Sequence, residues 1–199
     1  GKRLRWPDDY FQLSAELAYT RYMMKDWNYF SLMSNGNCNN LALRLTLSRN
    51  STDNQIFPRR GSEIQLSVSI TPPYSAWDGK DYAALRKENT QAAKQEMYRW
   101  IEFHKWLLKG RWYYPITADQ KLIVMLGAEM GYLGNYNPDK VSPFERFEIG
   151  GDGMTGYNMY GVDIIALRGY DDGALDPSDY YSVAYNKYTM ELRYPVILK

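Results

Sequence analysis

The sequence predicts an all-β chain, a partial antiparallel transmembrane β-barrel, and three observations lead there. Several segments alternate apolar and polar residues with a period of two, the mark of a strand with two unlike faces. Their apolar faces are bracketed by aromatic residues, which make up 16% of the 199 residues, with 19 Tyr against 6 Phe and 6 Trp. The connections alternate in length: 51–60 and 115–119 are short or compact, whereas 23–39, 73–97 and 134–186 are long. Short turns at one end and long loops at the other are what a barrel crossing a membrane shows.

Taken in order, the first strand is expected near 10–22, where Phe11, Leu13, Ala15, Leu17 and Tyr19 oppose Gln12, Ser14, Glu16, Ala18 and Thr20. The second, near 40–49, sets Leu41, Leu43, Leu45 and Leu47 against Ala42, Arg44, Thr46 and Ser48. The third, near 61–72, is the clearest: Ile64, Leu66, Val68 and Ile70 against Glu63, Gln65, Ser67, Ser69 and Thr71. Pro72-Pro73 ends it, since proline cannot donate to a ladder. Residues 81–97 are rich in helix formers and predict a short surface helix within a loop. A strand near 98–114 places Trp106, Leu108, Trp112 and Tyr114 opposite Lys105, Lys109 and Arg111. One near 120–134 carries Leu122, Val124, Leu126, Ala128, Met130 and Tyr132 opposite Lys121, Gly127, Glu129 and Gly131. The last, near 186–198, sets Tyr188, Met190, Leu192, Tyr194 and Val196 against Lys187, Thr189, Glu191 and Arg193. Alternation alone also suits a soluble antiparallel sheet with one wet face. The aromatic brackets and the loop asymmetry favour the membrane.

Composition excludes several classes. A net charge of +1 gives no basic field for nucleic acid. No stretch approaches the roughly 18 apolar residues of a transmembrane helix. The mean hydropathy of −0.56 does not count against a barrel, because alternation hides a lipid-facing surface from any average. Cys38 is the only cysteine, so no internal disulfide or cysteine zinc site can form. His104 is the only histidine, which removes most catalytic triads and histidine metal sites. Asp171, Asp172 and Asp176 lack the spacing of an EF-hand. The chain is therefore expected to be no enzyme and to carry no cofactor.

The long connection, residues 135–185, holds too many aromatics and glycines for a disordered segment and is expected to be ordered and packed. It contains Pro143-Phe144-Glu145-Arg146-Phe147 followed by Gly150-Gly151, then Leu167-Arg168-Gly169-Tyr170. Together with Ile56-Phe57-Pro58-Arg59-Arg60-Gly61 before a strand, and Tyr188-Thr189-Met190-Glu191-Leu192-Arg193-Tyr194-Pro195 after the loop, these motifs resemble the BamA family of outer-membrane protein assembly factors. That insertase and transporter superfamily includes TamA and FhaC. The four motifs stand in the family's order across most of the chain.

The resemblance implies a segment of one barrel domain spanning 1–199, about six strands where a family barrel has roughly sixteen, with an extracellular loop folded into the lumen. No POTRA module is visible, and the chain reads as an interior excerpt. It implies the core barrel of a machinery that folds and inserts β-barrel proteins into the outer membrane of Gram-negative bacteria. Its expected partners are nascent barrels, outer-membrane lipids and accessory lipoprotein subunits. Arg168, a cation poorly hydrated in a lumen, would need a wall carboxylate. Glu191 occupies the matching position, and Glu129, inward by the same alternation, is the second candidate. The alternatives are a TamA-like or two-partner secretion barrel, and a passive porin.

Overall fold

The computed structural model describes residues 1–26, 34–154, 161–175 and 182–196. In chain order the strands are β1 (Lys2–Arg3), β2 (Phe11–Met24), β3 (Gly36–Asn50), β4 (Gly61–Ile70), β5 (His104–Pro115), β6 (Ile123–Gly134), β7 (Phe147–Ile149), β8 (Asp163–Ile165) and β9 (Ala184–Arg193). Helices α1 (Tyr82–Glu88) and α2 (Gln91–Tyr98) lie between β4 and β5. Seven strands form one antiparallel sheet in the order β1-β2-β3-β4-β5-β6-β9, while β7 and β8 pair in parallel inside the last long connection. Neighbours in sequence are neighbours in the sheet, the simplest up-and-down topology.

Register fixes the two faces. Leu17 sits opposite Leu43, Leu45 opposite Val68, Leu66 opposite Leu108, Leu108 opposite Met130, and Leu126 opposite Met190. One face is thus apolar from β2 to β9, and between its aromatic ends it carries no charged residue. That face is open: Leu17 is 72% and Met190 70% exposed although both lie inside paired strands. A water-facing sheet does not leave such a surface uncovered. The opposite face carries Glu16, Arg44, Ser67, Lys105, Arg111, Glu129 and Lys187, so the sheet is a membrane wall with its polarity turned inward.

The connections 25–35, 71–103 and 135–183 leave from one end of the sheet, and 51–60 and 116–122 from the other. The larger packed core lies at the long-loop end, where Cys38, Tyr82, Met97, Tyr98, Ile101, Phe103, Leu133, Phe144, Phe147, Ile165 and Tyr185 form one buried cluster; Tyr113, Ile123 and Met125 form a smaller one with Phe57 at the short-turn end.

Three expectations are corrected. The strand near 98–114 begins only at His104. Residues up to Tyr98 belong to α2, whose Met97 and Tyr98 pack into the core, and Trp100 instead makes a parallel bridge to Asn39. The single helix over 81–97 is two, because Asn89 takes a left-handed conformation (φ 50°) and the Thr90 hydroxyl caps a new helix by accepting from Ala93 N. The last strand runs Ala184–Arg193 where 186–198 was expected, and residues 197–199 lie outside those described.

Candidate functional site

The polar face is an electrostatic ladder. Arg44 lies 4.0 Å from Glu16 and donates to Ser69 Oγ at 3.1 Å, while Thr46 and Ser67 share a hydroxyl contact at 3.2 Å. Arg111 stands 4.0 Å from Glu63 and 3.8 Å from Glu129, and Lys187 lies 4.0 Å from Glu129. Signs alternate from β4 across β5 and β6 to β9, so neighbouring strands attract along a wall that water can reach.

Onto this face folds the long connection. Lys105, on β5, is 3% exposed, and its ammonium is shared by two carboxylates: Glu145 at 3.2 Å and Asp163 at 2.8 Å. It also donates to the Gly161 carbonyl at 3.4 Å and lies 5.1 Å from the centre of the Phe147 ring. One wall cation therefore clamps two separate stretches of the loop. Burial pushes the Glu145 carboxyl above its ordinary pKa, and the neighbouring Lys105 pulls it back only in part.

Apolar contacts complete the docking. Phe144 is fully buried and stacks on Tyr22 of β2, centroids 4.6 Å apart. Phe147 is fully buried and meets Tyr185 of β9 edge-on at 4.9 Å. Between them Gly131 of β6 leaves the room: a Cβ there would come within 2.2 Å of Tyr185 and 2.8 Å of Phe147.

Beyond β7 and β8 the two loop motifs join. Gly151 N donates to Tyr170 O at 3.0 Å, and Leu167 N to Gly151 O at 3.0 Å. Tyr170 N closes on Leu167 O at 3.3 Å, making Leu167-Arg168-Gly169-Tyr170 a β-turn. Gly169 takes φ 87° at its third position, where a residue with a Cβ is strained. Gly150 packs just as closely, since a Cβ there would come within 2.1 Å of the Asp171 carbonyl oxygen. Arg168 is thus presented at the tip of a turn braced by Gly150-Gly151.

The motif residues separate into two groups. Pro143, Phe144, Glu145 and Phe147 belong to the docked segment, and Arg146 donates from Nε to Ser142 O at 3.1 Å. Leu167, Arg168, Gly169 and Tyr170 form the tip. Arg168 is exposed, and no carboxylate lies within 4 Å of it among the described residues. Glu191 instead accepts both Nε and Nη2 of Arg193 on its Oε2, at 3.0 and 2.8 Å, and Glu129 faces Arg111 and Lys187. The structure brings the two loop motifs together but does not bring Arg168 to either wall carboxylate. Sequence reasoning missed Lys105 and Asp163. Alternation had placed Lys105 on the polar face, and a cation there calls for a carboxylate, but its partners lie far along the chain.

A sheet with its hydrocarbon side turned out and its ion pairs turned in is stable as the wall of a barrel in lipid, where all strand hydrogen bonds are met within the sheet. The class is an integral β-barrel protein of the outer membrane. Residues 6–199 match the Omp85 superfamily domain, and the chain belongs to that superfamily. It is 26% identical over 132 residues to the outer membrane protein assembly factor BamA of Neisseria meningitidis serogroup B (strain ATCC BAA-335 / MC58). That match covers 66% of this chain and 12% of the relative. The crystal structure of BamA from Haemophilus ducreyi lacking POTRA domains 1-3 shares the fold with a TM-score of 0.60 at 16% identity, over 97% of this chain and 36% of that one. The chain is a BamA-type Omp85 barrel segment, as its motifs imply, and it spans well under two thirds of either relative.

Proposed function

We propose that the protein is the core barrel of an outer-membrane protein assembly machinery, folding and inserting β-barrel proteins into the outer membrane. The observation that supports this most is the long loop clamped on the polar face by Lys105, Glu145 and Asp163. A passive pore has no need to fill its lumen with a loop held by a buried ion pair. A barrel that must hold its shape while another chain pairs with it does. In this reading the exposed Arg168, which reaches neither carboxylate in this structure, closes onto the wall during insertion, with Glu191 as its partner and Glu129 as the second. Glu191 is suited to the role: Arg193 occupies its Oε2, and Oε1 has no partner among the described residues.

The work is mechanical, without a catalytic residue or cofactor. Client strands add by β-augmentation, main-chain hydrogen bonds supplying affinity. Nascent barrels, outer-membrane lipids and accessory lipoproteins are the partners. The test is complementation of depleted cells and barrel insertion into proteoliposomes with Arg168→Ala, Glu191→Gln and the exchanged pair Arg168→Glu with Glu191→Arg. Both single variants should lose insertion, and the exchange should recover part of it. Wild-type insertion by Arg168→Ala would overturn the brace. Steady open conductance of the wild-type protein in planar bilayers would instead identify a porin, and loss of passenger export alone a translocation barrel of the TamA or two-partner secretion type.

A further inference from the structure

On the outer side of the sheet, just beyond the apolar belt, the β4–β5 connection builds a cleft that the assembly reading does not use. Asn39 N donates to Arg99 O at 3.0 Å and Ile101 N to Asn39 O at 2.9 Å. This parallel bridge fixes direction. Trp100 takes the same side as Asn39, whose Oδ1 accepts from the hydroxyl of the lipid-facing Tyr19 at 2.9 Å, while Ile101 turns into the core. Trp100 packs on Tyr74 with centroids 5.1 Å apart, and Tyr74 meets Trp77 edge-on at 6.4 Å. The three rings line a cleft of about 250 Å³ together with the cations Lys80, Arg99 and Lys140 and the carboxylates Asp78 and Glu96.

The cleft has a built floor. Lys140 is buried and lies 3.3 Å from Glu102 and 3.2 Å from the Tyr82 hydroxyl, and Glu102 accepts from Ser75 N and Oγ at 2.8 and 2.6 Å. At the rim Lys80 is taken by Glu96 at 3.0 Å. Arg99 has no carboxylate within 4 Å among the described residues. The cleft therefore offers open aromatic faces, two neutralised lysines, one free guanidinium and the Asp78 carboxylate, which accepts from Lys80 N and the Tyr82 hydroxyl. Trp77 is 69% exposed.

An interfacial aromatic girdle accounts for Tyr74 and Trp100, but not for a walled hollow with a fixed polar floor. The C–H edges of a sugar ring carry partial positive charge and suit the negative face of an indole. A guanidinium suits one phosphate or carboxylate. The volume is that of a single ring, below the range of about 300–1,000 Å³ typical of larger ligands. We propose that this cleft binds a sugar ring bearing one anionic substituent, presented by the headgroup of an outer-leaflet glycolipid. Its position at the upper edge of the lipid-facing surface puts that headgroup within reach while the acyl chains cover the apolar face below.

The test is calorimetric titration of the purified full-length protein in detergent with lipopolysaccharide, with its sugar core freed of acyl chains, and with phosphatidylglycerol. Lipopolysaccharide should saturate one site and the freed core should compete for it. Trp77→Ala should weaken binding about tenfold, as truncating a central aromatic anchor does. Trp77→Phe should recover most of that loss, and Arg99→Gln should weaken binding and flatten its salt dependence. Trp77 packs on Tyr74 and is mostly exposed, so heat-modifiable migration of its variants should match the wild type. Equal binding of phosphatidylglycerol, failure of the freed core to compete, or wild-type affinity in the folded Trp77→Ala and Arg99→Gln variants would each overturn the proposal.

Discussion

Replacing Lys105 by Met should release the long loop while leaving the sheet intact. The substitution keeps most of the stem and removes only the ammonium that holds Glu145 at 3.2 Å and Asp163 at 2.8 Å. Asp163 is 43% exposed and loses little, on the order of 0–1 kcal/mol. Glu145 is 13% exposed and becomes a buried carboxylate without its cation, a change that typically costs about 3–5 kcal/mol. Proton uptake caps that loss at about 1.4 kcal/mol for each unit by which the ambient pH lies above the carboxyl pKa of the clamped loop. A net loss of about 3 kcal/mol is expected near pH 8, or roughly a hundredfold in the docking equilibrium.

Hydrogen exchange reads this directly. The amides of Phe147, donating to Ser182 O at 2.9 Å, and Asp163, donating to Arg146 O at 2.9 Å, flank the clamp within the loop and report its order. Their protection factors should fall by about two decades. Those of Leu45 and Thr46, in the middle of β3, should hold. The defect should shrink at pH 6, and Lys105→Met combined with Glu145→Gln should recover most of the protection, because the buried charge is gone. Unchanged protection at Phe147 and Asp163, or a double variant no better than the single one, would refute the clamp.

Three further outcomes are expected. Because the Glu145 pKa is raised in the folded loop, its contribution is full below the ordinary carboxylate pKa and is lost as pH rises through the raised value; wild-type loop protection should therefore decline toward neutrality, and Glu145→Gln should flatten that profile. Leu108→Arg, in the middle of the apolar face of β5, should cost about 2–4 kcal/mol in denaturant unfolding from lipid vesicles, whereas Lys109→Ala on the polar face should cost far less. Gly169→Ala should cost about 1–2 kcal/mol of turn stability, since a Cβ there meets nothing within 4 Å and only φ is strained. Gly150→Ala should do more damage, because its Cβ would be driven against the Asp171 backbone, and limited trypsin cleavage at Arg168 should rank the two in that order.

The wall was legible because β-structure writes its faces into parity. Leu41 to Leu47 and Ile64 to Ile70 could be assigned to one side without coordinates, and the register then lined those sides up across six strands. Residues 98–103 were misread because an aromatic run without Gly or Pro looks extended, whereas α2 is decided by the Thr90 cap and by packing of Met97 and Tyr98. The break at Asn89 had a visible signal: asparagine tolerates the left-handed region, and threonine follows it as a cap. The clamp had none. Lys105 lies 40 residues from Glu145, and no local rule couples them.

That clamp follows from the inverted polarity of the wall. A loop docking on the inner face finds little hydrocarbon to bury, since the apolar side chains point the other way. Its apolar anchors are confined to the end of the sheet where Tyr22 and Tyr185 turn inward to meet Phe144 and Phe147 beside Gly131. Such contacts hold the loop down but leave its angle loose. An ion pair adds little net stability when buried, yet it is intolerant of displacement, because a shift that parts the charges leaves both unpaired in low dielectric. By engaging Glu145 before β7 and Asp163 at the start of β8, Lys105 fixes both strands of the ribbon that carries the Gly150-Gly151 brace and the Arg168 turn. The position of Arg168 is therefore set from the opposite end of the loop, by a residue of the wall itself.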